Sequence, residues 1–521
     1  MLEPAAPLAP PRARRTGGRA SRVAVRAAAL ADDLRPVRPG MEGGAFRPLS
    51  RAGERRILDA AFEALEEIGL ADAPPSGVAA MTGAGATLGD DGRLRFSRAL
   101  VEDMLALAAR DITLHARDPR HDLRLSGRRV HFGTAGAAVH VVEADGTYRD
   151  STARDLLEAA RLVERLDNVH FFQRPMVCRD ILDNEEMDLN TLYAACAGTR
   201  KHVGTSFSDP AHVAPCVELV HLVAGGEAAW RARPFVSNSN CFVVPPMKFA
   251  TESCETMEGC IRAGMPVLLL SAGQAGATAP ASLALAVVQA VAECLAGVVY
   301  VNALAPGHPA VFGTWPFVSD LRTGAMSGGS GEQALLTAAC AQMHALIGLP
   351  GGAAAGMADA KLPDMQAGWE QAISNVLAGT AGLNMVYEAV GMHASLLGFS
   401  LDSLVLGDDM LGQVLRCVRG VEVEEDDVAL DAMRAVCLGP DGKGGPGHYL
   451  GSDETLHRMQ RDYVYPVVAD RSSPKEWEEN GRPDLLAEAR RRKEAILREA
   501  PVTLLPPDVD RAVRERFAIH V

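Results

Sequence analysis

Between Gly356 and Glu370 the chain reads Gly-Met-Ala-Asp-Ala-Lys-Leu-Pro-Asp-Met-Gln-Ala-Gly-Trp-Glu. Three carboxylates, a lysine and an amide in so short a stretch could hold a cation, move a proton or condense with a carbonyl. Lysine occurs only at positions 201, 248, 361, 443, 475 and 493, among 52 Lys plus Arg. A rare lysine between two aspartates points to a site rather than a solvated face. Met357, Asp359, Lys361 and Asp364 are therefore the catalytic candidates, with Gln366 beside them. Asp359 and Asp364 are expected to lie against Lys361 and neutralise it. The plainer explanation is capping, with Asp364 accepting backbone N–H bonds and Glu370 in the first turns of a helix.

The elements around this stretch repeat a pattern. Leu346 to Ala355 is apolar and Gly-rich, as a buried strand feeding a loop would be. From Val130 onward, short apolar runs alternate with Gly-rich or polar loops and amphipathic stretches. The expected strands are His131–Phe132, Val169–Phe172, His202–Thr205, Phe235–Asn238, Val267–Leu270, Ala310–Phe312, Gly352–Ala355 and Asn384–Val386. Helices are expected at Thr152–Leu166, Asn184–Ala197 and Glu332–Ile347. Asp90-Asp91-Gly92 and Ala144-Asp145-Gly146 read as hairpin turns. Eight such units predict an α/β chain folded as a TIM (β/α)8 barrel, whose chemistry sits at the C-terminal ends of the strands.

The loop resembles the trimethylamine methyltransferase family, in which a small-residue strand precedes Ser-Asp-Ala-Lys-x-Pro-Asp-x-Gln-Ala-Gly-x-Glu; here Ala358 stands in place of the serine. The resemblance runs from about Phe46 to the C-terminus through His131-Phe132-Gly133-Thr134-Ala135-Gly136, Phe312-Gly313-Thr314, Ser327-Gly328-Gly329-Ser330-Gly331-Glu332 and Tyr387-Glu388-Ala389-Val390-Gly391-Met392. The founding members carry pyrrolysine where this chain has Met357. A thioether cannot form the amine adduct attributed to pyrrolysine, so the chain is similar to the non-pyrrolysine branch, typified by glycine betaine methyltransferases.

That resemblance implies methyl transfer from a quaternary amine to the Co(I) of a corrinoid. A quaternary nitrogen leaves as a neutral amine, so positioning and a cation pocket suffice. Trp315 and Phe317, with Phe207 and Phe242, are candidates for cation–π contact, although core packing would explain any one of them. Asp320 and Glu388 could supply the carboxylate; Arg174, His202 or Arg322 could grip a substrate carboxylate. Gly328, Gly329 and Ser330, with Gln366, are expected to approach the corrinoid. No Asp-x-His-x-x-Gly string is present, so the cobalamin is expected on a separate corrinoid protein.

A formal charge of -14 disfavours nucleic acid and anionic membranes as partners. The apolar run Pro280–Leu304 contains Gln289, Glu293 and Asn302 and reads as a buried helix plus strand, not a membrane span. Ten cysteines without a Cys-x-x-Cys pair suit a reducing cytoplasm. Gly83 to Gly89 misses the dinucleotide spacing, and no S-adenosylmethionine is expected. His212, Cys216 and His221 lack a fourth partner, so neither is zinc. Four segments are expected: a basic tail over 1–40, a helix and hairpin extension over 41–128, the barrel over 129–400 and a helical cap over 401–521. A homo-oligomer is expected. Two other functions fit the same residues, a Schiff-base lyase using Lys361 and a non-catalytic betaine-binding relative.

Overall fold

The computed structural model describes residues 35, 37–423, 428–439 and 441–521. The expectation for most of the basic tail, residues 1–34 and 36, lies outside the described residues. Contacts divide the chain into a large unit, Val37–Glu422 with Tyr465–Val521, and a small one, Met1–Pro36 with Val423–Val464. The described part of the small unit carries two short helices, Asp431–Cys437 and Asp453–Arg461.

Eight parallel strands organise the large unit: β1 (Arg129–Phe132), β2 (Phe171–Gln173), β3 (His202–Thr205), β4 (Val236–Asn238), β5 (Val267–Ser271), β6 (Ala310–Thr314), β7 (Gly352–Ala354) and β8 (Met385–Tyr387). Each is three to five residues long and almost wholly buried, which is why each appears in the sequence as a short apolar run. β2 to β6 form one five-stranded parallel sheet, and β1, β8 and β7 lie in a second. Two parallel bridges, Gly133 to Phe171 and Phe312 to Gly351, run between strands of the two sheets. The short strand Met41–Glu42 pairs antiparallel with the start of β1.

A helix follows every strand: α1 (Ala153–Arg165), α2 (Asn184–Gly198), α3 (Val213–Ala224), α4 (Thr251–Arg262), α5 (Leu283–Leu304), α6 (Gly331–Ile347), α7 (Met365–Ala381) and α8 (Leu401–Arg419). Their starts follow local rules. Thr152 and Asp155 close a capping box on α1, Ser330 caps α6 and Asp364 caps α7. α8, assigned from sequence to a terminal cap, is the helix that follows β8. Leu485–Glu499 packs outside it, with Lys493 Nζ 2.7 Å from Asp402.

Pro280–Leu304 differs from expectation. It is one helix of 22 residues rather than a helix plus strand. Asn302 stays inside because its amide donates to the Val298 carbonyl at 2.9 Å, while its oxygen accepts from Gly307 N–H at 2.9 Å. The helix is long and apolar enough to cross a membrane, yet it is buried among the strands and helices of the fold. Its one acid, Glu293, accepts from Ser271 Oγ, Met247 N–H and Gln289 Nε2 at 2.5, 2.8 and 3.1 Å.

Candidate functional site

The loop leaving β7 turns at Gly356, which has φ +82; a Cβ there would lie 2.5 Å from the Ala389 carbonyl oxygen. Met357 follows and is fully buried. A Cβ on Gly328 would sit 3.1 Å from the Met357 sulfur, so the Gly-rich loop after β6 rests directly on this residue. Asp359 then ties three strand-end loops together. Its carboxylate accepts Ser327 Oγ–H at 2.8 Å from the loop after β6 and Ser395 Oγ–H at 2.5 Å from the loop after β8.

Glu370, buried on the first turns of α7, holds the same loop from below. Its Oε2 accepts the N–H groups of Asp359 and Ala360 at 2.8 and 3.2 Å, and its Oε1 accepts Gln366 Nε2–H at 2.9 Å. Gly329 has no room for a side chain, because a Cβ would fall 2.5 Å from the Glu370 carboxyl carbon. The expected neutralisation of Lys361 is not found. Its side chain is exposed and its Nζ donates to the Asp359 backbone carbonyl at 2.6 Å. Among the described residues it makes no ion pair. Asp359 is satisfied by hydroxyls, and Asp364 caps α7 by accepting Ala367 N–H at 3.1 Å.

At the other strand ends, aromatic rings meet. Trp315, just past β6, lies 5.1 Å from the ring of Tyr387 and 6.4 Å from that of Phe317. Tyr387 also stands 5.1 Å from Phe171 of β2, edge to face. The next residue, Glu388, adopts φ +58, a conformation that non-glycine residues hold only where the surroundings impose it. Glu388 is 1% exposed, and its Oε2 has no hydrogen-bond partner. Burial alone pushes its carboxyl up to about 8.

Other unpaired buried polar atoms lie near the same strand ends. They are Trp315 Nε1, Arg174 Nε, Thr205 Oγ1, Ser319 Oγ and both amide atoms of Gln333. Native proteins leave few such atoms, so a concentration at one end of the strands marks a place prepared for a ligand. Arg174 follows β2 and makes no ion pair among the described residues. Burial lowers its pKa. Ser319, Ser327 and Ser330 line a cavity of about 570 Å³ beside the Asp359 loop, together with Asp320, Leu321 and Arg322.

Some predicted residues lie elsewhere. His202 is the first residue of β3, at the opposite end of the strand, and both ring nitrogens are engaged, with the His115 carbonyl at 2.7 Å and Ser237 Oγ at 2.9 Å. Burial depresses its pKa to about 4, so it is neutral and cannot grip a carboxylate. Asp320 is committed to Arg322 at 2.6 Å in its own turn, which removes both from the substrate set. Phe207 and Phe242 are fully buried in the core. His212 bonds Asp188 at 2.8 Å. No cluster of three or more His, Cys, Asp or Glu side chains suited to a metal occurs among the described residues. The sequence reading did not single out Tyr387, Ser327 or Ser395 as site residues, and it counted Glu370 among the loop's three carboxylates without placing its bonds to Asp359 and Ala360. Signals for two of them were present, since Ser327 opens the Gly-rich motif before Glu332 and Tyr387 immediately precedes Glu388.

An α/β fold with loops from several strand ends converging on buried, unpaired polar groups is an arrangement in which an enzyme site can be assembled. The sequence profile of the trimethylamine methyltransferase family (MTTB) matches residues 15–519, and the chain belongs to that family. It is thus a methyltransferase. Relatives include the glycine betaine methyltransferase of Desulfitobacterium hafniense, 28% identical over 419 residues, 80% of this chain and 85% of that protein. The trimethylamine methyltransferase MttB of Methanosarcina barkeri is 30% identical over 416 residues, 79% of this chain and 82% of its own. The crystal structure of M. barkeri monomethylamine methyltransferase MtmB aligns over 90% of each chain at 11% identity, with a TM-score of 0.49.

Proposed function

We propose that this methyltransferase demethylates a quaternary, betaine-like amine and passes the methyl group to the Co(I) of a separate corrinoid protein. The observation that carries the reading is Glu388, a fully buried acid without a hydrogen-bond partner, one residue from Tyr387 and its contact with Trp315. A trimethylammonium head offers no hydrogen bonds, so aromatic faces and an anion are what can recognise it. Arg174 is the proposed partner for a substrate carboxylate. Met357 argues against neutral trimethylamine, because a buried thioether gives no means of engaging an amine lone pair.

The eight strands are read as one closed barrel, supported by the two parallel bridges between its sheets. In that barrel Glu388 would hold the cation by its negative charge, while Trp315 and Tyr387 keep water from it. The C–N bond breaks with its electron pair remaining on nitrogen, so the amine departs neutral and no general acid is required. The corrinoid, when docked, supplies the Co(I) nucleophile that accepts the methyl group. The unpaired Ser319 hydroxyl and the cavity along Ser327 and Ser330 suit a docked polar macrocycle. Asp359 and Glu370 position the loops that frame it. Leu362, Met365, Trp369 and Ile373 form an exposed apolar stripe beside the catalytic loop, in keeping with a protein partner. All ten cysteines are free, as a cytoplasmic location would require.

The Schiff-base alternative fares worse, since the Lys361 side chain is exposed and its Nζ is bonded to the Asp359 carbonyl rather than aimed into an enclosed pocket. The test is a panel of quaternary amines, with glycine betaine among them, offered to the purified enzyme with reduced cobalamin. Co(I) consumption with at least one quaternary amine is expected. If every quaternary amine were inert while carbonyl compounds became trapped by borohydride, the lyase reading would replace this one.

A further inference from the structure

At the end of the barrel opposite the catalytic loops, four arginines converge on a cavity of about 330 Å³. It is lined by Arg47, Arg51, Arg55 and Arg128, with Glu54, Gln342 and the last turns of α6 and α7. The floor of this cavity is hydrogen-bonded. Glu54 Oε1 accepts from Arg47 Nη2 at 2.7 Å and from Gln342 Nε2 at 2.5 Å, and Gln342 Oε1 accepts Leu49 N–H at 2.7 Å. Glu54 Oε1 is thereby committed to Arg47 and Gln342, and Glu54 is the only acid in the lining. Arg128 lies across Gly44, donating to its carbonyl at 3.2 Å.

Arg51 and Arg55 have no hydrogen bond and no ion pair among the described residues. Their placement is unfavourable on two separate counts. Arg51 is the first residue of the helix Arg51–Glu67, where the peptide dipole disfavours cations, and Arg55 stands four residues on, where like charges repel. The helix ends of α6 and α7 offer about half a negative charge each, which leaves an excess of roughly two positive charges after Glu54 is counted. An anion in the cavity would relieve both strains at once.

We propose that this cavity is a binding site for a compact, multiply charged phosphate anion, a diphosphate group held by Arg51, Arg55 and Arg128. Guanidinium forks suit phosphate oxygens bidentately, and three from different directions match a diphosphate better than a single phosphate. Arg128 leads into β1 and the last turns of α6 and α7 lead into β7 and β8, so the site underlies three barrel strands without reaching the methyl-transfer site. It does not depend on the function proposed above.

The test is calorimetric titration of the whole protein with inorganic pyrophosphate, ATP and orthophosphate at two salt concentrations. Saturable pyrophosphate binding, weaker at high salt, is expected. ATP binding as tightly as pyrophosphate would assign the natural ligand to a nucleotide; pyrophosphate alone would assign a free diphosphate. Replacing Arg51 and Arg55 together by alanine should weaken binding about tenfold or more, while Arg56→Ala, on the same helix but outside the cavity lining, should not. Unfolding temperature without ligand shows whether the double variant is folded. No saturable binding of pyrophosphate or ATP by the wild-type protein, or equal losses in Arg56→Ala, would overturn the proposal.

Discussion

Replacing Glu388 with glutamine keeps the shape of the side chain and removes its proton chemistry. In the folded protein the carboxyl is raised from 4.5 to about 8, with burial as the cause. A rise of that size corresponds to about 5 kcal/mol between the protonation states. Below pH 4.5 the group is neutral both folded and unfolded, and its full contribution is present. Between 4.5 and 8 the unfolded chain ionises while the folded one does not, so stability falls as pH rises. Above 8 the loss is complete. Glu388→Gln lacks this slope and should become the more stable protein at pH 9, with little difference at pH 5.

A cationic ligand reverses the balance. Coulomb attraction at about 4 Å and an effective dielectric near 20 is roughly 4 kcal/mol, enough to draw the proton off Glu388. Glycine betaine affinity should then rise about tenfold for each pH unit below 8 and level off above it, with one proton released per molecule bound. Denaturant titrations of both proteins from pH 5 to 9, and calorimetry in two buffers of different ionisation enthalpy, read both effects. Glu388→Gln should bind at least about thirtyfold more weakly at pH 8.5. Parallel stability curves for the two proteins, or a pH-independent affinity that glutamine does not change, would refute the reasoning.

Other consequences can be checked more simply. Trp315 is almost wholly buried, so Trp315→Ala should cost about 3–5 kcal/mol of stability, whereas Trp315→Phe should stay folded and raise KM severalfold through a weaker cation–π contact. Glu370→Ala leaves the N–H groups of Asp359 and Ala360 without an acceptor; about 1–3 kcal/mol of local stability should go, seen as faster amide exchange across residues 357–361. Lys361→Ala should change kcat and stability little, about 0.5 kcal/mol at most, because the side chain is exposed and bonds only its own loop.

The strand positions were readable because each is a short apolar run, and the candidate strands match within one or two residues at each end. Capping by Asp364 was readable from the local chain as well. What the sequence could not convey were contacts across loops. The acids flanking Lys361 suggested a neutralised cation, but Asp359 turns to Ser327 and Ser395, 32 and 36 residues away. Asp320 and Arg322 were separately plausible ligands, yet lie two residues apart and pair with each other. His202 illustrates a signal that was present and overlooked. As the first residue of its strand it had to lie at the far end from the catalytic loops.

The central claim is methyl transfer from a permanently charged nitrogen, and one comparison addresses it. Glycine betaine carrying isotopically labelled methyl groups and labelled trimethylamine are supplied in parallel to the purified enzyme with Co(I) cobalamin. The account predicts one dimethylglycine formed for each Co(I) consumed, with the label on cobalt, and no transfer from trimethylamine. Rapid trimethylamine-dependent consumption of Co(I), with glycine betaine inert, would contradict it.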